Sequence, residues 1–292
     1  MGATLSSLTE GFSGGAAAGS PGLGDIPENC VASVFIHLTP PEICNLARLN
    51  RAFRGAASSD SVWDKKLPRN YQDLLDLLPE DRYLHLSKKG VFALLSNPIY
   101  FDDGTKAVWL DRVTGNVCMS VSARGLAITG VDDRRYWSWI PTDESRFRVI
   151  AYVQQIWWFE VYGSTTFPFP TGVYSVYFRL YLGKFTKKLG RRICLHEHTH
   201  GWTIKPVRFD LTTSDGQQAS SESLIDDPHR DEAKRGCWIK YKVGEFTVRS
   251  SSPIMEVRFS MKQIDCTHSK GGLCVDSVFI LPSSLNDRKD SS

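Results

Sequence analysis

The sequence predicts an α+β multidomain chain: a small helical unit, a helical bridge and an antiparallel β-sandwich. Apolar residues recur at helical spacing from Ile26 to Leu95. Near residue 101 the pattern changes to short runs of Val, Ile, Phe, Tyr, Trp and Thr, broken by Gly, Pro, Asp and Asn. No amphipathic helix separates those runs, so neighbouring strands should pair antiparallel in a sandwich rather than in βαβ units.

Residues 1–22 are rich in Gly, Ala and Ser and read as a tail without a core of its own. The helical unit spans 23–68 and reads as three short helices. Asp25 can cap the first, with Pro27 in its opening turn. Ile26, Val31, Val34, Phe35 and Leu38 form its apolar stripe. Thr39-Pro40-Pro41-Glu42 stops that helix and starts a second, carrying Ile43, Leu46 and Leu49. Ser58-Ser59-Asp60 offers caps for a last turn that brings in Val62 and Trp63. A unit this small cannot bury all of these side chains by itself.

The bridge, 69–100, continues the helical pattern through Leu74, Leu75, Leu77 and Leu78. Ser87 is a cap before Val91–Leu95, and Asn97-Pro98 ends the run. In the sandwich, 101–283, strands are expected around 108–110, 118–121, 127–129, 147–153, 156–161, 173–182, 204–211, 237–243, 246–248, 255–261 and 275–281. Residues 214–235 are polar and read as an exposed loop, and 284–292 as a frayed end.

Composition excludes several classes. Of 292 residues 41% are hydrophobic and 23% charged, ordinary for a globular chain, and the net charge of +3 carries no basic block of the kind nucleic acid demands. Seven scattered Cys argue for reduced thiols and hold no CxxC pair. No run of 18 apolar residues and no signal-peptide pattern occur, which points to the nucleus and cytoplasm. Met1-Gly2-Ala3-Thr4-Leu5-Ser6 fits the N-myristoylation pattern at Gly2, although one acyl chain anchors only weakly. No Walker loop, GxGxxG or GxSxG is present; Asp102-Asp103 and Asp226-Asp227 read as turn and loop carboxylates. No catalytic site and no cofactor are therefore expected.

Two clusters bear on binding. Tyr136-Trp137-Ser138-Trp139 follows Asp132-Asp133-Arg134-Arg135. Aromatic rings beside charged groups suit a sugar, whose C–H face stacks while its hydroxyls bond to polar groups. The same Trp pair, pointing one way along a strand, would equally fill a sandwich core. His196, His198 and His200 would share one face of a strand, and three imidazoles can hold zinc. No carboxylate or further Cys at ligand spacing completes that set, so no metal site is assigned.

The order of residues in 23–68 resembles the F-box motif. The resemblance lies in the Ile-Pro-Glu opening, the Leu38-Thr-Pro-Pro-Glu junction, the run Ala47–Arg54 and the closing Ser61-Val62-Trp63. It implies docking on a Skp-type adaptor and, through it, a cullin scaffold in a ubiquitin ligase. Ile26, Pro27, Val31, Leu38, Pro41 and Leu46 are then the expected adaptor face, with Phe53 and Trp63 internal.

A second resemblance runs from about Lys106 to Pro282. Its blocks are Ala127–Ile140, Trp158–Gly163, Gly201-Trp202 with Lys205-Pro206-Val207, Trp238-Ile239 with Val243–Phe246, and Gly271-Gly272-Leu273 before a last strand ending Leu281-Pro282. These are similar to the plant phloem-protein-2 family, which includes the Nictaba lectin, and the combination resembles that family's F-box-bearing A group. The resemblance implies a lectin-like, jelly-roll type sandwich that binds a client, glycosylated or otherwise. Trp137, Tyr136, Trp139, Asp132 and Glu256 are its expected contacts. One of the family's stacking positions falls on Gly130, and a second acidic position falls on Gln263. A missing ring forfeits about 1–2 kcal/mol, with each 1.4 kcal/mol about tenfold in affinity. A peptide client is the competing ligand, and a lectin or scaffold that does not need its F-box is the competing role.

Overall fold

The computed structural model describes residues 22–23, 26–188, 191–195, 199–227, 236–250 and 254–285. Residues 1–21 of the tail, Gly2 among them, with Asp25, His196 and His198, lie outside them.

The helical unit contains α1 (Glu28–Phe35), α2 (Pro40–Leu46), α3 (Arg51–Ala56) and α4 (Asp60–Asp64). Four short helices therefore stand where the sequence suggested three. The division comes at Asn50, whose side chain accepts from Phe53 N at 2.8 Å and starts a new helix. Before α2, the Glu42 carboxylate accepts from both Thr39 N and Thr39 Oγ1 at 2.7 Å, a reach-back that fixes the chain entry. Pro27 occupies the N-cap position of α1 rather than its first turn. Phe35 meets Phe53 edge-on at 5.6 Å, and the Trp63 indole donates to Ala57 O at 2.8 Å.

The bridge holds α5 (Tyr71–Leu75), a 3-10 turn at Glu80–Arg82 and α6 (Lys88–Leu95). Ser87 caps α6 by accepting from Gly90 N. Trp63 packs on Phe92 at 5.2 Å, tying α4 to α6. A continuous buried cluster then runs from Val31 and Ile43 through Leu95 and Ile99 into the sandwich. At this junction Asn70 Nδ2 donates to Pro168 O. Gly115, at φ +72°, lies so close that a Cβ there would stand 2.3 Å from Lys66 O.

The sandwich comprises β1 (Ile99–Phe101), β2 (Lys106–Leu110), β3 (Val117–Ser122), β4 (Ala127–Ile128), β5 (Trp137–Pro141), β6 (Val149–Val153), β7 (Phe159–Phe167) and β8 (Gly172–Leu182). It continues with β9 (Lys184–Lys188), β10 (Arg191–Leu195), β11 (Val207–Thr213), β12 (Gln218–Ser223), β13 (Ile239–Val248), β14 (Met255–Gln263) and β15 (Leu273–Pro282). In the first sheet β13, β8 and β15 are neighbours. The far edge of β15 is shared by β3, leading to β2 and β1, and by β6, leading to β5. The second sheet has the order β12-β11-β14-β7-β4, and β9 pairs with β10 as a separate ribbon. All described pairings are antiparallel.

Rings from both sheets meet between them: Phe178 of β8 lies 6.0 Å from Phe209 of β11 and 6.1 Å from Phe259 of β14. The alternation expected for a half-buried strand is regular in β14, where Met255, Val257, Phe259, Met261 and Gln263 are buried and Glu256, Arg258, Ser260 and Lys262 face outward. The expected loop at 214–235 instead contains β12. Its Gln-Ala-Ser-Ser-Glu-Ser sequence lacks strand-forming residues because it is a sheet edge with little to bury.

Candidate functional site

Two surfaces stand out. On the helical unit, Ile26 (37% exposed), Val34 (59%) and Leu49 (63%) present apolar side chains to solvent. Pro27 and Pro41 are also exposed, and Leu38 and Leu46 are half-buried. Val31, expected on the same face, is 4% exposed and belongs to the core beside Phe35. An eight-residue helix with two apolar flanks must choose which to bury; α1 buries Val31, Ala32 and Phe35 and leaves Val34 outside. Val34 and Leu49 complete the exposed set in place of Val31. Periodicity named Val34 and Leu49 as apolar but could not say which face would meet the core.

The second surface is the end of the sandwich where the loops after β4, β6, β10 and β14 converge. Trp137, expected as a stacking ring, is 1% exposed. Its indole N–H donates to Thr129 O at 3.0 Å, and its ring stacks on Phe159 at 6.2 Å. Phe159 in turn meets Trp202 edge-on at 5.0 Å. Trp137 therefore supports the site from below and offers no face to a ligand. Trp139, 38% exposed, is on the same strand with the Arg124 guanidinium 5.4 Å from its ring. Tyr136 is half-buried and Asp132 exposed, both in the turn between β4 and β5. Gly130 in that turn has φ +74°, a region that disfavours any side chain, and a Cβ there would meet Tyr136 Cδ2 at 3.3 Å.

Glu256 does not join this group. It lies seven residues from Gln263 on β14, about 23 Å at the rise of a strand. An odd separation also puts the two on opposite faces of the sheet. Glu256 points outward, where Arg258 Nη2 donates to it at 2.8 Å and holds its carboxyl below the usual range. Gln263, 4% exposed, points inward and donates to Lys205 O, while its Oε1 has no partner.

Besides Trp139, Trp157 and Trp158 face solvent at this end, each 45% exposed, and Ile204 and Ile264 are exposed as well. Continuing the β7–β14 register past Phe159↔Gln263 sets Ile264 opposite Trp158. Two adjacent Trp were the available signal, since one strand face rarely hides both. A buried ammonium underlies these loops: Lys270 is 0% exposed, with Nζ donating to Trp157 O, Asp265 O and His268 O. Burial lowers its pKa, and the three carbonyls compensate for the lost water. His268 and His200 add ring contacts to Gly201 O at 3.1 Å and Ser269 Oγ at 3.2 Å.

The outer face of the second sheet is a polar row system. Tyr162, Ser260, Asp210 and Ser220 lie abreast on β7, β14, β11 and β12. Burial alone would raise the Asp210 carboxyl. The Lys262 ammonium, ion-paired at 2.7 Å, and hydrogen bonds from Arg208 and Ser220, each at 2.8 Å, outweigh it and hold it at about 2. Among the described residues no group of three His, Cys, Asp or Glu is gathered at metal-binding distance. No described helix is long and apolar enough to cross a membrane.

Comparison with known proteins accounts for this two-part architecture. Residues 23–65 match the F-box domain and residues 116–282 match Phloem protein 2. The chain is 68% identical over 286 residues to the F-box protein PP2-A15 of Arabidopsis thaliana, covering 97% of this chain and 95% of that relative. It is 54% identical over 269 residues to PP2-A12 (92% and 90% covered) and 56% over 259 residues to PP2-A13 (88% and 87%), both from the same plant. The chain belongs to the phloem protein 2 family, among the F-box proteins of its A group.

Proposed function

We propose that this chain is the substrate-recognition subunit of a cullin-based ubiquitin ligase. The F-box docks on a Skp-type adaptor and the sandwich captures a client, glycosylated or otherwise, in the nucleus and cytoplasm. The chain forms and breaks no bonds. It raises the local concentration of client near the conjugating enzyme, which short tethers do very effectively. The observation that carries this reading is the exposure of three apolar side chains, Ile26, Val34 and Leu49, on an otherwise well-packed F-box.

Co-expression of the full chain with a Skp-type adaptor and cullin tests it. A stoichiometric complex is expected for the wild type, and I26D/L49D should lose it while remaining folded. Failure of the wild-type chain to co-purify with the adaptor would end the proposal.

A second reading, a carbohydrate-binding lectin or scaffold that does not require its F-box, draws on the exposed Trp157 and Trp158, the latter donating to polar Glu160. A glycan array with the full chain and its Trp158→Ala variant separates sugar from protein clients. Sugar binding lost in that variant, together with intact function in I26D/L49D, would favour the lectin.

A further inference from the structure

Where the F-box unit meets the sandwich, the structure holds a cleft of about 1020 Å³. Its walls are the segment after α4, the β2–β3 turn, the β7–β8 connection and the outer end of β13. Five cationic side chains line it (Lys65, Lys66, Arg69, Lys242 and Arg249) against one carboxylate, Glu245. The lining thus carries a net +4, while the whole chain carries +3. The excess positive charge of the protein is concentrated here, and a cleft lined by one sign of charge focuses its field on whatever enters.

Most of this charge is available. Glu245 is neutralised by Lys242 Nζ at 2.9 Å, and it also accepts from Ser175 and Ser283. Lys66 donates to Ile36 O at 2.7 Å and is also attracted by the Glu42 carboxylate, so its charge is partly offset. Lys65, Arg69 and Arg249 are exposed and make no ion pair with any described residue. The walls that carry them are fixed by the close approach of Gly115 to Lys66 O and by the Asn70–Pro168 hydrogen bond. Fixed donors lose little on binding.

We infer that this cleft binds an acidic polypeptide segment, its carboxylates paired with Lys65, Arg69 and Arg249. Arg forks match carboxylates two bonds at a time. The volume exceeds that of most small-molecule pockets and suits several residues of extended chain. A single-stranded nucleic acid would need rings to stack on, and the ring lining the cleft, Tyr174, is 3% exposed. Naming the segment as part of a client rests on the receptor role proposed above; peptide binding itself does not.

The test is fluorescence anisotropy of the full chain with a fluorescein-labelled octaglutamate. Binding should weaken at least tenfold between 50 and 200 mM NaCl, following the loss of several ion pairs. It should also fall at least tenfold in K65E/R69E/R249E. The control R48E/R82E/R134E carries the same charge change on exposed residues outside the cleft and should stay within threefold of wild type. Circular dichroism verifies that both triple variants fold; should the reversal variant not fold, K65A/R69A/R249A takes its place with a loss of at least fivefold expected. Absence of wild-type binding at 50 mM salt, an equal loss in the control, or tighter binding of an octauridylate each overturns the assignment. Co-purification with the adaptor should be unchanged in K65E/R69E/R249E. A wild-type chain that ignores the adaptor yet binds octaglutamate would remove the ligase role and leave the cleft.

Discussion

The Trp137 indole lies stacked on the Phe159 ring, 6.2 Å between centroids and 23° between planes, with Trp202 closing the group edge-on to Phe159. This stack is the foundation of the loop end of the sandwich, so the effects of Trp137 on ligand and on folding must be separated. Trp137→Ala should destabilise the protein by about 3–5 kcal/mol, the usual cost of emptying a buried Trp site. Trp158→Ala, on the surface, should change stability by less than about 0.5 kcal/mol. Urea unfolding of the two variants decides it: equal, small losses would mean that Trp137 is not a core residue.

Val31 and Val34 are one helical turn apart and have opposite fates. Val31→Asp places a carboxylate in the F-box core, where an unpaired charge is prohibitive, and should unfold that unit. Val34→Asp should leave the unfolding midpoint unchanged and weaken adaptor capture. Far-UV circular dichroism and an adaptor pull-down on both variants check the contrast. A folded Val31→Asp protein would overturn the packing described for α1.

Gly115→Ala tests the junction. The new methyl meets both a left-handed φ and the Lys66 carbonyl, so a loss of about 1–3 kcal/mol is expected. Gly104→Ala is the matched control, with φ +75° but no atom within 4 Å of the added Cβ. It should cost only the backbone strain, about 1–2 kcal/mol. Hydrogen exchange at residues 66–70 should rise in the first variant alone. Identical exchange in both would show that the two parts are not locked at this point.

Asp210 predicts a pH dependence. Its folded pKa, about 2, lies below the usual carboxylate value, so its ionised form stabilises the fold. That contribution is complete above pH 4 and disappears as pH falls toward 2. Asp210→Asn should therefore cost about 1 kcal/mol at pH 7, after allowance for its partial exposure. The gap to wild type should close between pH 4 and pH 2. Urea midpoints across that range measure it, and a gap that stays constant would contradict the hydrogen bonding described.

Much of this was legible in the chain. The change of apolar spacing near residue 101 gave the two fold types, and the order of F-box residues gave the first of them. β12 was not legible because an edge strand has only one flank to pair and no need of branched side chains. Trp137 was readable as ring-rich sequence but not as buried, since a strand's period does not say which face is inside. The separation of Glu256 from Gln263, by contrast, followed from their odd spacing once both were placed on one strand. The charged cleft drew its lining from residues as distant as Lys65 and Arg249, which no local pattern brings together.

The interlock of Gly115 with the Lys66 carbonyl has a geometric result. With no free hinge at that point, the helical unit and the sandwich turn as one piece; in the receptor role proposed above, the span from cullin-side partner to captured cargo would act as a ruler of set length and pitch. Which lysines on the cargo receive ubiquitin would then be decided by the cargo's own shape, because the holder does not swivel to find them.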